Sequence, residues 1–238
     1  MPASYREAFD GMSVGQHAAI VARRGSQVAH VEIWKREPRA RAILCIVAED
    51  RPGLLSLISA SLAAQRLDVI TAQAYTRMPE RAAYGEAVDF LLVRHDSAPP
   101  EPVSSADVAR VAETLKGLLD GEVTLDQVLR HARQTVPVPA GASTRVTFDQ
   151  GASSSDLAVL TVETFDRPGL LLTITLALFR AQVQIVASDA KTENGRVIDR
   201  FMLAELDGSP VLPRRRGAVQ TAVLAAIDAI VGRRHQGG

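Results

Sequence analysis

The hexapeptide Asp50-Arg51-Pro52-Gly53-Leu54-Leu55 returns as Asp166-Arg167-Pro168-Gly169-Leu170-Leu171, 116 residues later. A chain that repeats itself over such a distance is built from two copies of one structural unit, and any fold for it must use that unit twice. The register extends past the hexapeptide. Ile58 and Leu62 return as Ile174 and Leu178, and residues 68–76 align with residues 184–192. Val88-Asp89 then matches Ile198-Asp199 at an offset of 110, because the stretch 77–84 makes the first copy's connection six residues longer. Hairpin loops absorb insertions of that kind.

Each copy has the same order of elements. Residues 42–49 and 157–164 are short apolar runs ended by turn chemistry, the pattern of strands buried on at least one face. The hexapeptide then opens a helix, since Pro52 and Pro168 suit a first helical turn whose N–H has no intrahelical partner. Leu54, Leu55, Ile58 and Leu62, with their counterparts Leu170, Leu171, Ile174 and Leu178, form its apolar face. Further strands are predicted at 68–76 and 87–94 in the first copy and at 183–192 and 197–206 in the second, with closing helices at 104–119 and 214–231. The result is β-α-β-β-α twice, an α+β fold of two ferredoxin-like domains, each lacking its last strand. Extra strand-like runs at 28–35 and 144–149 precede the copies and could fill the empty edge, either by circular permutation or by exchange between copies. The division expected is a helical linker at 1–27 with a helix at 14–24, a first domain at 28–120, a connector at 121–143, a second domain at 144–232 and a tail at 233–238. The connector's first half could be helical and residues 136–141 should be extended or irregular, while 97–102 and 151–155 read as loops.

Composition narrows the function. Twenty-seven Lys and Arg against 27 Asp and Glu leave no global field for a phosphate backbone or an anionic membrane. The only basic clusters, Arg214-Arg215-Arg216 and Arg233-Arg234, lie at a helix start and in the tail and read as solvated charge, so nucleic acid is not the expected partner. Cys45 is the single cysteine, which excludes an internal disulfide and a thiolate cluster and points to a reducing cytoplasm. No secretory signal and no membrane span is apparent.

The repeated turn carries the chemistry. A Gly-containing strand-to-helix turn gathers backbone N–H groups and the positive end of a helix at one spot, which suits a carboxylate. Asp50 and Asp166 could hold an ammonium or cap the following amides. Amide donors beside an anionic acceptor describe a site for a free amino acid.

With its amphipathic helix, strand, hairpin and second helix, the hexapeptide resembles the ACT domain, and its repetition resembles a tandem-ACT protein over about residues 28–232. Within that group the chain is similar to the C-terminal regulatory region of the bifunctional uridylyltransferase/uridylyl-removing enzymes that modify the PII nitrogen-signalling protein. The resemblance implies amino-acid binding at an interface between two domains, glutamine being the first ligand to try. It transfers to Asp50, Arg51, Gly53 and Leu54 with Thr71, Ala72 and Gln73 on the facing strand, and to Asp166, Arg167, Gly169 and Leu170 with Ala187, Ser188 and Asp189. Because Gln73 and Asp189 differ in charge type, the two copies need not bind equally. The catalytic modules of such an enzyme would lie upstream of Met1, so the chain is expected to be either a stand-alone sensor or a portion of something larger. A tandem-ACT regulator of the glycine-cleavage-repressor type is a further alternative.

No nucleotide-binding or hydrolase motif argues for an enzyme, and no cofactor or metal is called for. Cys45 should be inert packing in a buried strand, and His95-Asp96 a polar strand end rather than a metal site. Asp89 and Asp199 are expected to face outward by strand alternation. Open edges favour pairing of ACT units, within the chain or in a homo-oligomer with an unknown regulated partner. Trp34 on the first extra strand would report its docking.

Overall fold

Period-two apolar runs and helical stripes alternate along the chain, and the computed structural model turns them into eight strands and seven helices among the residues it describes, 1–78, 85–132, 143–149, 157–193 and 195–231. The run at 136–141, the loop at 151–155, the tail with Arg233-Arg234, and most of the first hairpin's insertion lie outside the described residues.

The first copy comprises β1 (Ala29–Glu37), β2 (Arg41–Glu49), α3 (Leu54–Ala64), β3 (Leu67–Arg77), β4 (Glu86–His95) and α4 (Ser105–Asp120). The second comprises β5 (Arg145–Phe148), β6 (Ala158–Phe165), α6 (Leu170–Arg180), β7 (Val183–Glu193), β8 (Arg196–Glu205) and α7 (Pro213–Val231). Two helices precede them, α1 (Ala3–Ala8) and α2 (Gly11–Arg24), and α5 (Leu125–Ala132) lies in the connector. All strands join one antiparallel sheet in the order β1-β2-β4-β3-β7-β8-β6-β5.

That order settles the missing strand. β1 lies antiparallel beside β2, with Ala29 opposite Ala48, and β5 beside β6, with Arg145 opposite Glu163. Each unit is therefore a permuted ferredoxin-like fold that fills its own edge, and no strand is exchanged. The copies meet through β3 and β7, where Thr71 pairs with Lys191, Ala72 with Ala190, Gln73 with Asp189 and Ala74 with Ser188. Gln73 and Asp189 are counterparts in the repeat, so this ladder lies on a local two-fold axis. Matching irregularities, between Val69 and Thr71 and between Ile185 and Ala187, break the pairing of β3 with β4 and of β7 with β8 at the same point. Such bulges are usually retained features of a unit.

One face of the sheet carries α3, α4, α6 and α7 over a continuous core that includes Leu44, Ile58, Leu91, Leu160, Ile174 and Phe201. Valines of α4 (Val108, Val111) and α7 (Val219, Val223) point into it at helical spacing, as does Ile227. Leu118 packs instead with Val123 and Leu125 against the small cluster that α5 makes on α3 and α6, built on Val128, Leu129, Leu172 and Leu176. Among the described residues the other face is covered over the first copy alone, where the N-terminal helices lay Tyr5, Phe9 and Ile20 on Cys45, Val47, Val88 and Phe90.

Three boundaries differ from the sequence reading, each for a local reason. Helices α3 and α6 begin two residues beyond Pro52 and Pro168, because Gly53 (φ 82°, ψ 1°) and Gly169 (φ 77°, ψ 9°) take the third position of a type II turn. The turns close with Leu54 N–H to Arg51 O and Leu170 N–H to Arg167 O, both 3.1 Å. Helix α2 starts at Gly11 rather than 14, since the Asp10 carboxylate accepts the Ser13 N–H at 2.7 Å as an N-cap. Helix α1 has no sequence signal beyond Tyr5, which anchors it in the aromatic cluster.

Candidate functional site

The two turns are placed by identical means. The main-chain N–H of Asp50 donates to Gly85 O at 2.8 Å and that of Asp166 to Gly195 O at 2.9 Å, which fixes each strand end against the following hairpin. Neither aspartate caps its helix, although the sequence allowed it; the N-caps are the left-handed glycines, with no side-chain bond. The carboxylates are turned to other partners, and those partners differ.

In the first copy, Asp50 Oδ2 accepts the Thr76 hydroxyl at 2.7 Å. Behind it lies Asp89, 3% exposed and taking the Tyr75 N–H at 3.3 Å. Burial pushes the Asp89 carboxyl up to about 8, and the nearby Asp50 charge pushes in the same direction against the Tyr75 N–H. At neutral pH that rise favours the protonated form of Asp89. Among the described residues no cation lies within ion-pair distance of either carboxylate. A cavity of about 30 Å³ remains between this turn, β3, and Phe179, Val183 and Ile185 of the second copy, room for about one water. The Phe179 ring fills the rest. A Cβ on Gly53 would come within 2.7 Å of two of its carbons, so only glycine allows the ring to lie on the turn.

In the second copy the corresponding acceptor is already taken. Arg94 Nη2 lies 3.2 Å from Asp166 Oδ2 and 2.9 Å from Asp68 Oδ2, tying the turn to the start of β3 across the interface. Asp68 is raised to about 6 by burial and by Asp166, with Arg94 opposing. Asp199, the counterpart of Asp89, is likewise 3% exposed and raised to about 8, chiefly by burial; a hydrogen bond from Lys191 N–H opposes, and Asp166 and Asp189 add to the rise. Nothing lies within 4 Å of a Cβ built on Gly169, because Ala63 stands where the first turn has Phe179. The cavity there, beside Arg66, Asp68 and Pro168, measures about 20 Å³.

Of the residues expected at the site, Asp50, Arg51, Gly53 and Leu54 border the first cavity, and Gly169 borders the second. Arg51 reaches away, donating to Leu119 O at 3.2 Å. Arg167 is buried, and Leu170 belongs to the core. On the facing strands only Ala72 and Ser188 are buried towards the helices. Thr71 and Gln73 line a separate cavity with Phe9, Trp34 and Phe90 on the opposite face, and Asp189 pairs there with Lys191 at 3.2 Å. These residues meet across the interface without touching the turns.

Sequence reasoning missed four contributors. Asp89 and Asp199 are buried, not outward-facing, and their repetition inside otherwise apolar runs was the available signal. Phe179 and Arg94 are departures from the repeat, replaced in the other copy by Ala63 and Ala204. His95 Nε2 lies 3.1 Å from Asp107 Oδ2, in the capping box that Asp107 forms with Ser104. Among the described residues no group of three His, Cys, Asp or Glu is arranged to hold a metal ion. No helix among them is long and apolar enough to cross a membrane.

No family model matches the chain. The bifunctional uridylyltransferase/uridylyl-removing enzyme of Rhodospirillum rubrum is 28% identical over 242 residues, covering 99% of this chain and 25% of that protein. The enzymes of the same name from Nitrobacter hamburgensis (27% over 204 residues) and Bradyrhizobium diazoefficiens (28% over 215 residues) cover 84% and 87% of this chain, and 21% and 22% of their own length. The chain thus spans about a quarter of the length of the curated relatives it matches, and the matched part is their C-terminal region. A crystal structure of aspartate kinase from Synechocystis overlaps 84% of this chain and 41% of that one, with a TM-score of 0.23 and 11% identity, too slight to bear on the fold. The permuted ferredoxin-like unit is used twice, and the chain is similar throughout to that C-terminal region.

Proposed function

We propose that the chain is a non-catalytic regulatory module of nitrogen metabolism that responds to a free amino acid, glutamine first, bound at the turn of the first copy. One observation carries this reading. The carboxylate Asp166 already holds a guanidinium, while its counterpart Asp50, backed by the protonated Asp89, holds only a hydroxyl. An incoming ammonium would do at Asp50 what Arg94 does at Asp166, and the ligand carboxylate would meet the start of α3 at Gly53. Phe179 occupies that space and must swing out, so ligand entry moves α6 relative to the first turn. That movement is the signal. Similarity to the uridylyltransferase/uridylyl-removing enzymes supports a role beside their chemistry in a reducing cytoplasm, either attached to such an enzyme or acting on one. Since β3 and β7 are consumed within the chain, a homo-oligomer formed by strand pairing would use the outer edges β1 and β5.

The test is thermal unfolding of the chain with each of the twenty amino acids in millimolar excess. A ligand at one hundred times its dissociation constant adds about 2.7 kcal/mol, roughly 5 to 10 °C for a chain of this size. The rise should be selective, larger in Phe179→Ala than in the parent, and absent in Asp50→Asn. Binding should also strengthen as pH rises towards 8, because pairing with an ammonium favours loss of the Asp89 proton. No selective rise in either the parent or Phe179→Ala rejects the reading.

A further inference from the structure

Helix α5 has eight residues, too few to persist in water unless it is docked. Its start is fixed to the first copy. Val123 N–H donates to Gly117 O of α4 at 3.1 Å, and a capping box follows, in which Thr124 N–H donates to Gln127 Oε1 at 2.7 Å and Gln127 N–H to Thr124 Oγ1 at 3.3 Å. Its buried side chains, Val128 and Leu129, then bridge the two copies. They cluster with Ala60 of α3 and with Leu172 and Leu176 of α6, while Ala63 and Ala64 pack beside them.

This seat departs from the repeat. Leu172 and Leu176 stand where the first copy has Ser56 and Ala60, and Ala63 stands where the second has Phe179. The apolar patch on α6 thus has no counterpart on α3, and under α5 its leucines are each only 8% exposed. The same helix carries the ring that seals the first turn. Leu176 and Phe179 are three residues apart and neighbours on the surface of α6, so adjacent turns of one helix lie under α5 and on Gly53. Lifting the ring from Gly53 moves Leu176 away from Ala60. A short helix that grips α3 and α6 through Val128 and Leu129 cannot follow both.

We infer that α5 is a latch, helical and docked while Phe179 lies on Gly53 and released when α6 moves off the first turn. The natural trigger rests on the proposed binding at that turn; the coupling between ring and latch does not. By linkage, a docked α5 also opposes ligand entry.

Hydrogen exchange of the full chain, read at the amides of Val128 and Leu129, tests the latch without a ligand. A Cβ on Gly53 would meet the Phe179 ring at 2.7 Å, whereas one on Gly169, at a similar φ, meets nothing within 4 Å. Gly53→Ala is therefore a wedge and Gly169→Ala its control. The wedge should speed exchange at both amides about tenfold over the parent while α4 keeps its rates, and the control should leave them unchanged. Adding Phe179→Ala to Gly53→Ala should restore the parent rates. Should Gly53→Ala fail to fold, Phe179→Trp applies the wedge from the other side of the contact. Unprotected α5 amides in the parent, no response to the wedge, an equal response to both glycine variants, or a response that survives removal of the ring would each overturn the latch. An amino acid that raises the unfolding midpoint should speed the same amides; one that binds at the first turn and leaves them protected overturns the latch while the site stands. If no amino acid binds, the reading of the turn fails and the wedge alone decides the latch.

Discussion

The two turns share a hexapeptide, a backbone conformation and an anchoring hydrogen bond, yet they end in different states. The first is sealed by a hydrocarbon ring lying on Gly53, and among the described residues its carboxylate pair has no cation. The second is open above Gly169, with its carboxylate bound to Arg94. What differs is therefore not the loop but what the opposite copy sends to it, Phe179 in one direction and Arg94 in the other. Identical local sequence fixes geometry, and the neighbour decides whether that geometry is available to a ligand.

The largest expected contrast is between Gly53→Val and Gly169→Val. Both force a β-branched residue to a left-handed φ, costing about 1–2 kcal/mol. Only Gly53→Val also collides with Phe179, which should add about 1–3 kcal/mol of overpacking. Urea unfolding should place Gly53→Val well below Gly169→Val. Equal losses would mean that the ring does not rest on the turn.

Next come the buried aspartates. A carboxyl whose folded value is about 8 against an ordinary 3.8 stabilises the fold while protonated. That contribution is complete below about pH 4 and disappears as pH rises through 8. The unfolding midpoint should fall between pH 5 and 8, and Asp89→Asn or Asp199→Asn should each flatten part of the slope, an effect on the order of a few kcal/mol. His17, held down to about 4 by burial, works the other way, losing its contribution as pH falls below 6.5. A slope unchanged in both variants would refute the assignment.

The smallest effect on stability, about 1 kcal/mol, is expected for Arg94→Leu, since its side chain is 43% exposed and the buried Asp68, already raised to about 6, takes up a proton once the guanidinium is gone. Its effect on binding should be larger. Freed of the guanidinium, Asp166 resembles Asp50, and calorimetry should show the number of bound amino acids per chain rise from one to two. A stoichiometry that stays at one would show that Arg94 is not what closes the second turn.

The fold was legible because its information is local and repeated. Apolar period, turn glycines and a duplicated register defined every strand, and the empty edge beside β2 and β6 called for β1 and β5. The helix starts were misread by two residues because Pro-Gly serves a type II turn as readily as a first helical turn. The site was legible only in part. Asp50 and Gly53 stand out in the hexapeptide, whereas Asp89 hides in a strand where alternation suggests solvent, and its burial depends on α3 and the interface. Phe179 and Arg94 act across the β3–β7 contact, whose strand register no single segment encodes. Gln73 and Asp189, expected on the strands that face the turns, pair with each other across the interface, and side-chain parity puts them on the face away from the turns.

The two-fold axis between Gln73 and Asp189 has a consequence for how such a protein can diversify. In a dimer of identical units, a residue on the axis faces itself, and every change at one site is copied to the other. An aspartate there would confront an aspartate, and a phenylalanine closing one turn would close both. Once the two units share a chain, that constraint is lifted: glutamine can face aspartate, Phe179 can stand opposite Ala63, and Arg94 opposite Ala204. Duplication followed by fusion leaves one half free to become a fixed abutment while the other keeps changing, a division of labour that no symmetric assembly could inherit.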